Sequence, residues 1–276
     1  MDNVREDSAY SEELTGHDSR EGSKSRRAGL AEFPRIVSPR GLPRLILIGD
    51  GFTDPEHADR IVEAVEEASG RVFGRLSDEI TSGPVPEKTP GQTLWVHLRD
   101  RAASAGLFRE CAARLVERLR NVSPSVLLSV NGRPEVAEAL QCGYHAGVRD
   151  APPGFLCGPR QPYGRSAHSL DEARTAMGED HRNHPQYLFF SPVFNPQGKP
   201  GYAGAGIDAL RDFVHYVQGR VPVYALGGIT PERVGPCLDA GSYGLAVLSG
   251  IMRADHPGKA AGAYLTALRA YFEDAS

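Results

Sequence analysis

Two glycine turns carry the clearest chemistry in this chain. Gly227-Gly228 follows the apolar run Val221–Leu226, and Ser249-Gly250 follows the next one, Gly244–Leu248. Backbone N–H groups freed at neighbouring strand ends can converge on the oxygens of a phosphate, so Gly227, Gly228, Ser249 and Gly250 are the expected phosphate-binding positions. Two ordinary strand-to-helix connections would leave the same trace. Earlier in the chain, His97-Leu98-Arg99-Asp100-Arg101 alternates so that His97, Arg99 and Arg101 share one side of a strand. Two guanidinium groups there suit a phosphate or carboxylate, and a surface ion pair with Asp100 and the carboxylates of the next helix is the competing reading. Asn131, heading Asn131-Gly132-Arg133, offers an amide to a polar ligand group or simply shapes a turn. Ser166 and His168 place a hydroxyl and an imidazole two residues apart, and an imidazole can move a proton near neutral pH. Ser169 followed by Asp171 and Glu172 reads as a helix N-cap. Lys199, in a turn-rich stretch, could close on a bound phosphate.

Each of these groups sits at the end of an apolar run. Eight such runs occur: Arg44–Ile48, Leu94–Leu98, Val126–Val130, Tyr144–Val148, Pro162–Ser166, Tyr187–Ser191, Val221–Leu226 and Gly244–Leu248. Helical periodicity marks His57–Ala68, Ala102–Val122, Leu170–Met177, Ile207–Gln218, Pro231–Ala240 and Gly258–Phe272. Only the proline-rich stretch Ala151–Gln161 lacks a clear helix. Alternating strands and helices predict a parallel sheet, and eight units predict a protein of the α/β class, a single (β/α)8 TIM barrel over residues 42–276. Reactive groups then belong at the C-terminal strand ends, where these motifs fall. Residues 1–41 are polar and charged, so a disordered tail is expected there. Gly70–Gln92 and Gly178–Pro185 read as inserted loops.

Composition narrows the function classes. The 276 residues are 40% hydrophobic, enough for a full core, and the formal net charge is -4. That balance leaves no basic footprint for nucleic acid or an anionic membrane, so a small molecule is the expected partner. The four cysteines show no Cys-x-x-Cys spacing, which suggests neither a zinc site nor a disulfide framework. No apolar stretch reaches the roughly 18 residues of a membrane span, and the N-terminus lacks the apolar core of a secretory signal. A cytoplasmic protein is expected; a homodimer is compatible with the sequence, which identifies no interface.

Taken in order, Val96-His97-Leu98-Arg99-Asp100-Arg101, Asn131-Gly132-Arg133, Gly164-Arg165-Ser166-Ala167-His168-Ser169-Leu170-Asp171-Glu172-Ala173, Phe189-Phe190-Ser191-Pro192-Val193-Phe194 with Lys199, Gly227-Gly228-Ile229-Thr230-Pro231 and Ala246-Val247-Leu248-Ser249-Gly250-Ile251 resemble the thiamine phosphate synthase/TenI superfamily over about residues 43–272. Synthases of that superfamily join a pyrimidine pyrophosphate to a thiazole phosphate with Mg²⁺. They carry Gln and Lys where this chain has His97 and Arg101, an Asp metal ligand at Gly132, and a second metal carboxylate near Asp150. They also carry Pro-Thr-x-Thr-Lys where this chain has Asn195-Pro196-Gln197-Gly198-Lys199. The TenI branch shares His, Arg and Arg at positions 97, 99 and 101, Asn-Gly-Arg, and the Gly-Arg-Ser-x-His-Ser motif. The resemblance therefore implies a thiazole tautomerase, an isomerase of thiamine biosynthesis that uses no metal and no other cofactor. In it His168 would be the catalytic acid/base acting on a phosphorylated thiazole carboxylate, with His97, Arg99, Arg101, Asn131, Ser166 and Lys199 binding substrate and His97 a second proton relay. A Mg²⁺-dependent synthase and a non-catalytic thiazole- or thiamine-phosphate-binding regulatory protein are the alternatives.

Overall fold

Eight parallel strands close on themselves in sequence order. A computed structural model describes residues 42–79, 94–155, 157–158, 160–178, 184–195, 203–217 and 219–274. The expected disordered tail at 1–41 and Lys199 lie outside them, as does most of the stretch from 178 to 185. The strands are β1 (Leu45–Asp50), β2 (Leu94–Arg99), β3 (Leu127–Asn131), β4 (Gly143–Ala146), β5 (Tyr163–Ala167), β6 (Tyr187–Phe190), β7 (Val223–Leu226) and β8 (Gly244–Val247). Each pairs in parallel with its neighbours, and β8 returns to β1, so the barrel is closed. Every expected strand is present, and the fold is the expected TIM barrel.

The helices are α1 (Pro55–Glu79), α2 (Ala105–Val122), α3 (Pro134–Ala139), α4 (Leu170–Ala176), α5 (Gly206–Val217), α6 (Val234–Asp239), α7 (Ser249–Met252) and α8 (Pro257–Asp274). Three details differ from expectation. Residues 70–79, assigned to an inserted loop, continue α1, because each of the two glycines there costs a helix only about 1 kcal/mol. The helix expected over Pro231–Ala240 is a 3-10 turn, Pro231–Arg233, followed by α6. The short α3 and α7 escape a periodicity search, having too few turns to display a stripe.

Strand alternation sorts the core into two populations. One set, including Leu47, Val96, Leu98, Val130 and Leu188, packs outward against Ile61, Phe108, Leu115, Phe213 and the other helix faces. The other fills the barrel with Ile46, Ile48, Trp95, Tyr187, Phe189, Tyr224 and Ala246. Tyr187 occupies the space that a side chain at Gly164 would need, since a Cβ there would collide with its ring. Burying each of these large side chains contributes about 1.5–3 kcal/mol, so the barrel interior is a solid platform under the strand ends. Within this interior sit three buried polar side chains, His97, Ser129 and His145. Among the described residues, no helix is long and apolar enough to cross a membrane.

Candidate active site

The C-terminal strand ends gather the polar groups in two layers. Arg99 closes β2, half-buried, with its NH1 3.5 Å from Asp50 Oδ1 at the end of β1. Burial lowers the Arg99 pKa and the Asp50 charge partly restores it. Its buried Nε has no hydrogen-bond partner, leaving a donor unspent at the barrel mouth. Asp100 faces away from this pair. It accepts from Thr53 Oγ1 at 2.6 Å and from the amides of Ala102 and Ala103 at 3.1 Å, so it caps the β2–α2 connection rather than pairing with an arginine. Burial pushes its pKa up, but the Thr53 and backbone hydrogen bonds prevail and hold it below the ordinary aspartate value. Arg101 lies beyond the strand and is exposed.

His97 lies one step below Arg99, fully buried. Its Nδ1 is 2.9 Å from Ser129 Oγ, which also accepts the Trp95 indole N–H at 2.8 Å. Burial, reinforced by the Arg99 charge, lowers its pKa to about 3, so this imidazole is neutral and supplies hydrogen bonds rather than charge. Its ring packs edge-on against His145, 5.0 Å away. His145 is also buried and neutral, its pKa lowered well below 6.5 first by burial and then by His97 and Arg165. It bridges Tyr187 OH at 3.0 Å and Ser166 Oγ at 2.9 Å. Ser166 is half-buried at the mouth end of β5.

Asn131 ends β3, its amide reaching the His145 carbonyl at 3.4 Å, and Gly132 follows with φ +65°. A Cβ at Gly132 would stand 3.7 Å from Asp150 Oδ2, which places positions 132 and 150 side by side after adjacent strands. The Asp150 carboxylate accepts the Gly147 amide at 2.7 Å. Arg133, in contrast, is structural: it donates to the Ala103 carbonyl at 2.7 Å and lies over the Phe108 ring. Among the described residues, no group of three or more His, Cys, Asp or Glu could hold a metal ion.

His168 is exposed at the end of β5. Its Nδ1 is 2.6 Å from the Ser191 carbonyl, and a carbonyl only accepts, so Nδ1 carries a proton and donates it. The imidazole thus latches the end of β5 to the end of β6. Ser169 is the N-cap of α4, accepting from the Glu172 amide, while the Glu172 carboxylate takes the His168 amide at 2.6 Å. Gly227 and Gly228 adopt φ of +101° and +62°. The Gly228 carbonyl accepts from Arg233 NH1 at 2.6 Å, and Arg233 lies over the Phe194 ring, joining the β7 turn to the β6 loop. Beside it, Ser249 and Gly250 open α7, and Tyr264 from α8 donates to the Ile229 carbonyl at 2.8 Å beneath both turns. The structure therefore brings Arg99, Asn131, Ser166, His168, Gly227, Gly228, Ser249 and Gly250 to one barrel mouth. It sets His97 below that mouth and leaves Arg101 at its rim. Asp50, Ser129, His145, Tyr187 and Arg233 were not singled out from the sequence. Polar residues at inward positions of apolar strands, such as Ser129 in Leu-Leu-Ser-Val and His145 in Tyr-His-Ala, were the available signal.

Known proteins place this architecture in a family and correct one expectation. Residues 84–251 match the family model described as thiamine monophosphate synthase. A thiamine-phosphate synthase of Deinococcus radiodurans is 31% identical over 87% of this chain and 94% of its own length. One from Chlorobium luteolum is 33% identical over 67% of this chain and 87% of its own. The solved thiamine phosphate pyrophosphorylase of Pyrococcus furiosus shares the fold, with a TM-score of 0.58 at 24% identity over 83% of this chain and 96% of its own. These relatives carry the name of a synthase, a transferase, which overturns the expectation of a thiazole tautomerase and of an isomerase. The physical reason lies in the motif that supported it: Ser169 and Glu172 cap α4 and His168 latches β5 to β6, structural duties that do not mark proton-transfer chemistry. By sequence and by fold, the chain belongs to the thiamine monophosphate synthase family.

Proposed function

We propose that this protein is a thiamine-phosphate synthase, joining a pyrimidine pyrophosphate to a thiazole phosphate and releasing pyrophosphate. The observation that carries the reading is the match to the Deinococcus radiodurans synthase along nearly the full length of both chains. The geometry supports it. The glycine turns at 227–228 and 249–250 cradle the phosphate of the thiazole with backbone N–H groups. Arg99, with its unpartnered Nε, and Arg101 receive the negative charge that grows on pyrophosphate as its bond to the pyrimidine breaks, and Lys199, outside the described residues, is a further candidate from the sequence. Asn131 and Ser166 orient the ligand by hydrogen bonds. His168 keeps the β5 and β6 ends in register, so that Ser166 and the β6 loop face the same ligand.

The Asp150 carboxylate, beside position 132 at the barrel mouth, is the group that would hold a Mg²⁺ ion there. Bound there, the cation would neutralise the leaving group. The test is growth: the chain is expressed in a bacterium whose own synthase gene has been removed, on medium supplying the separate pyrimidine and thiazole precursors. Growth without added thiamine is expected. Failure of the soluble, expressed chain to support growth would overturn the reading.

A further inference from the structure

The barrel interior holds a polar chain that the reaction as described leaves unexplained. Tyr187, His145 and Ser129 are all but inaccessible, yet each carries hydrogen-bonding groups that burial makes costly unless paired. Each of the three is paired. The Trp95 indole is a donor only, and it occupies Ser129 Oγ at 2.8 Å. Ser129 Oγ also pairs with His97 Nδ1 at 2.9 Å. Burial pushes the Tyr187 pKa well above its usual value, so the phenol keeps its proton and needs an acceptor. That acceptor is His145 Nδ1 at 3.0 Å. An imidazole that is neutral and accepts at Nδ1 carries its proton on Nε2, and Nε2 is 2.9 Å from Ser166 Oγ. Ser166 therefore has one lone pair filled from below and its own O–H left for the mouth.

We propose that Tyr187 and His145 are positioning residues that act through Ser166: the run Tyr187 O–H to His145 Nδ1, then His145 Nε2–H to Ser166 Oγ, aims the serine proton at a phosphate oxygen of the bound ligand. The identity of that ligand rests on the synthase reading; the direction of the hydrogen bonds does not. Gly164 is part of the device, because any side chain there would displace the Tyr187 ring.

Two measurements test it. The first needs no substitution: ¹⁵N-histidine spectra of the whole protein, with the His145 signals identified by their loss in His145→Gln, are expected to show a neutral ring protonated at Nε2. A ring protonated at Nδ1 would overturn the proposal even if the protein turns over its substrates. The second is a double-mutant cycle with Tyr187→Phe and Ser166→Ala, read on kcat/KM and on the Kd of inorganic pyrophosphate. Each single substitution is expected to cost about tenfold, the worth of one hydrogen bond, and the double variant to be no worse than Ser166→Ala alone. Additive penalties would overturn the relay. If the wild-type protein shows no turnover, the synthase reading falls, and the pyrophosphate affinities and the spectra still decide the relay.

Discussion

In the proposed reaction, charge stabilisation depends most on Arg99, because it is anchored by Asp50 yet has a donor left over. Lysine at that position would keep the charge and lose the planar fork, so Arg99→Lys is expected to reduce kcat/KM by roughly 10- to 100-fold in steady-state assays with little change in melting temperature. Unchanged kinetics would mean that charge alone suffices. Gly132 and Asp150 give a paired expectation. With one carboxylate beside the pyrophosphate site, Asp150→Asn, which retains an acceptor for the Gly147 amide, should raise the half-saturating Mg²⁺ concentration about tenfold. Gly132→Asp adds a carboxylate next to Asp150 at a φ that Asp tolerates better than most residues, and should lower it. A Mg²⁺ titration that neither variant shifts would remove the cation from this corner. Arg99 and Asn131 were legible as binding groups because each follows an apolar strand. Asp150 was traced only loosely, since the chain around it, His145-Ala146-Gly147-Val148, follows no familiar pattern. Its position beside residue 132 is a fact of adjacent strands.

At the level of elements, the β6 loop and the β7 turn behave as one unit. Val193 and Phe194 donate their amides to the Leu226 and Gly227 carbonyls, and Arg233 ties the Gly228 carbonyl to the Phe194 ring. A Cβ on Gly228 would meet the Asn195 carbonyl oxygen at 2.7 Å and the Phe194 Cβ at 2.8 Å, at a φ that costs a side chain about 1–3 kcal/mol. Gly228→Ala should therefore raise KM for the thiazole phosphate about tenfold, the cost of a misplaced backbone donor, while changing kcat less. An unchanged KM would place the phosphate elsewhere. All eight strands were legible because buried parallel strands read as short apolar runs, and their ends agree with the structure to within about two residues, the usual uncertainty of a boundary. The link from β6 to β7 was not legible: it is made by backbone groups and by an arginine whose sequence context, Thr230-Pro231-Glu232-Arg233, reads only as a helix start.

Across the whole molecule, the buried imidazoles couple stability to acid. An unfolded histidine ionises near pH 6.5, whereas burial holds His97 down to about 3 and His145 well below its usual value. Below pH 6.5 the unfolded chain takes up protons that the folded barrel refuses, so stability falls as the pH drops from 6.5 toward 3. Above 6.5 both states are neutral at these sites and the effect vanishes. Asp100 adds a further loss at lower pH, below its ordinary value of 3.8, since its folded pKa is depressed. Melting temperatures measured from pH 8 to 4 should bend downward below 6.5, and His97→Gln should bend less; a flat profile would mean that water reaches the pair. The barrel itself followed from periodicity, but the choice of chemistry did not, because single replacements such as His97 and Gly132 seemed to separate branches that the chain as a whole does not separate. The most direct test of the synthase assignment is mass-spectrometric product analysis of the purified protein, given both phosphorylated heterocycles and Mg²⁺ with no other enzyme. Thiamine phosphate and pyrophosphate formed in equal amounts are the predicted result, and intact substrates, bound but unjoined, would contradict it.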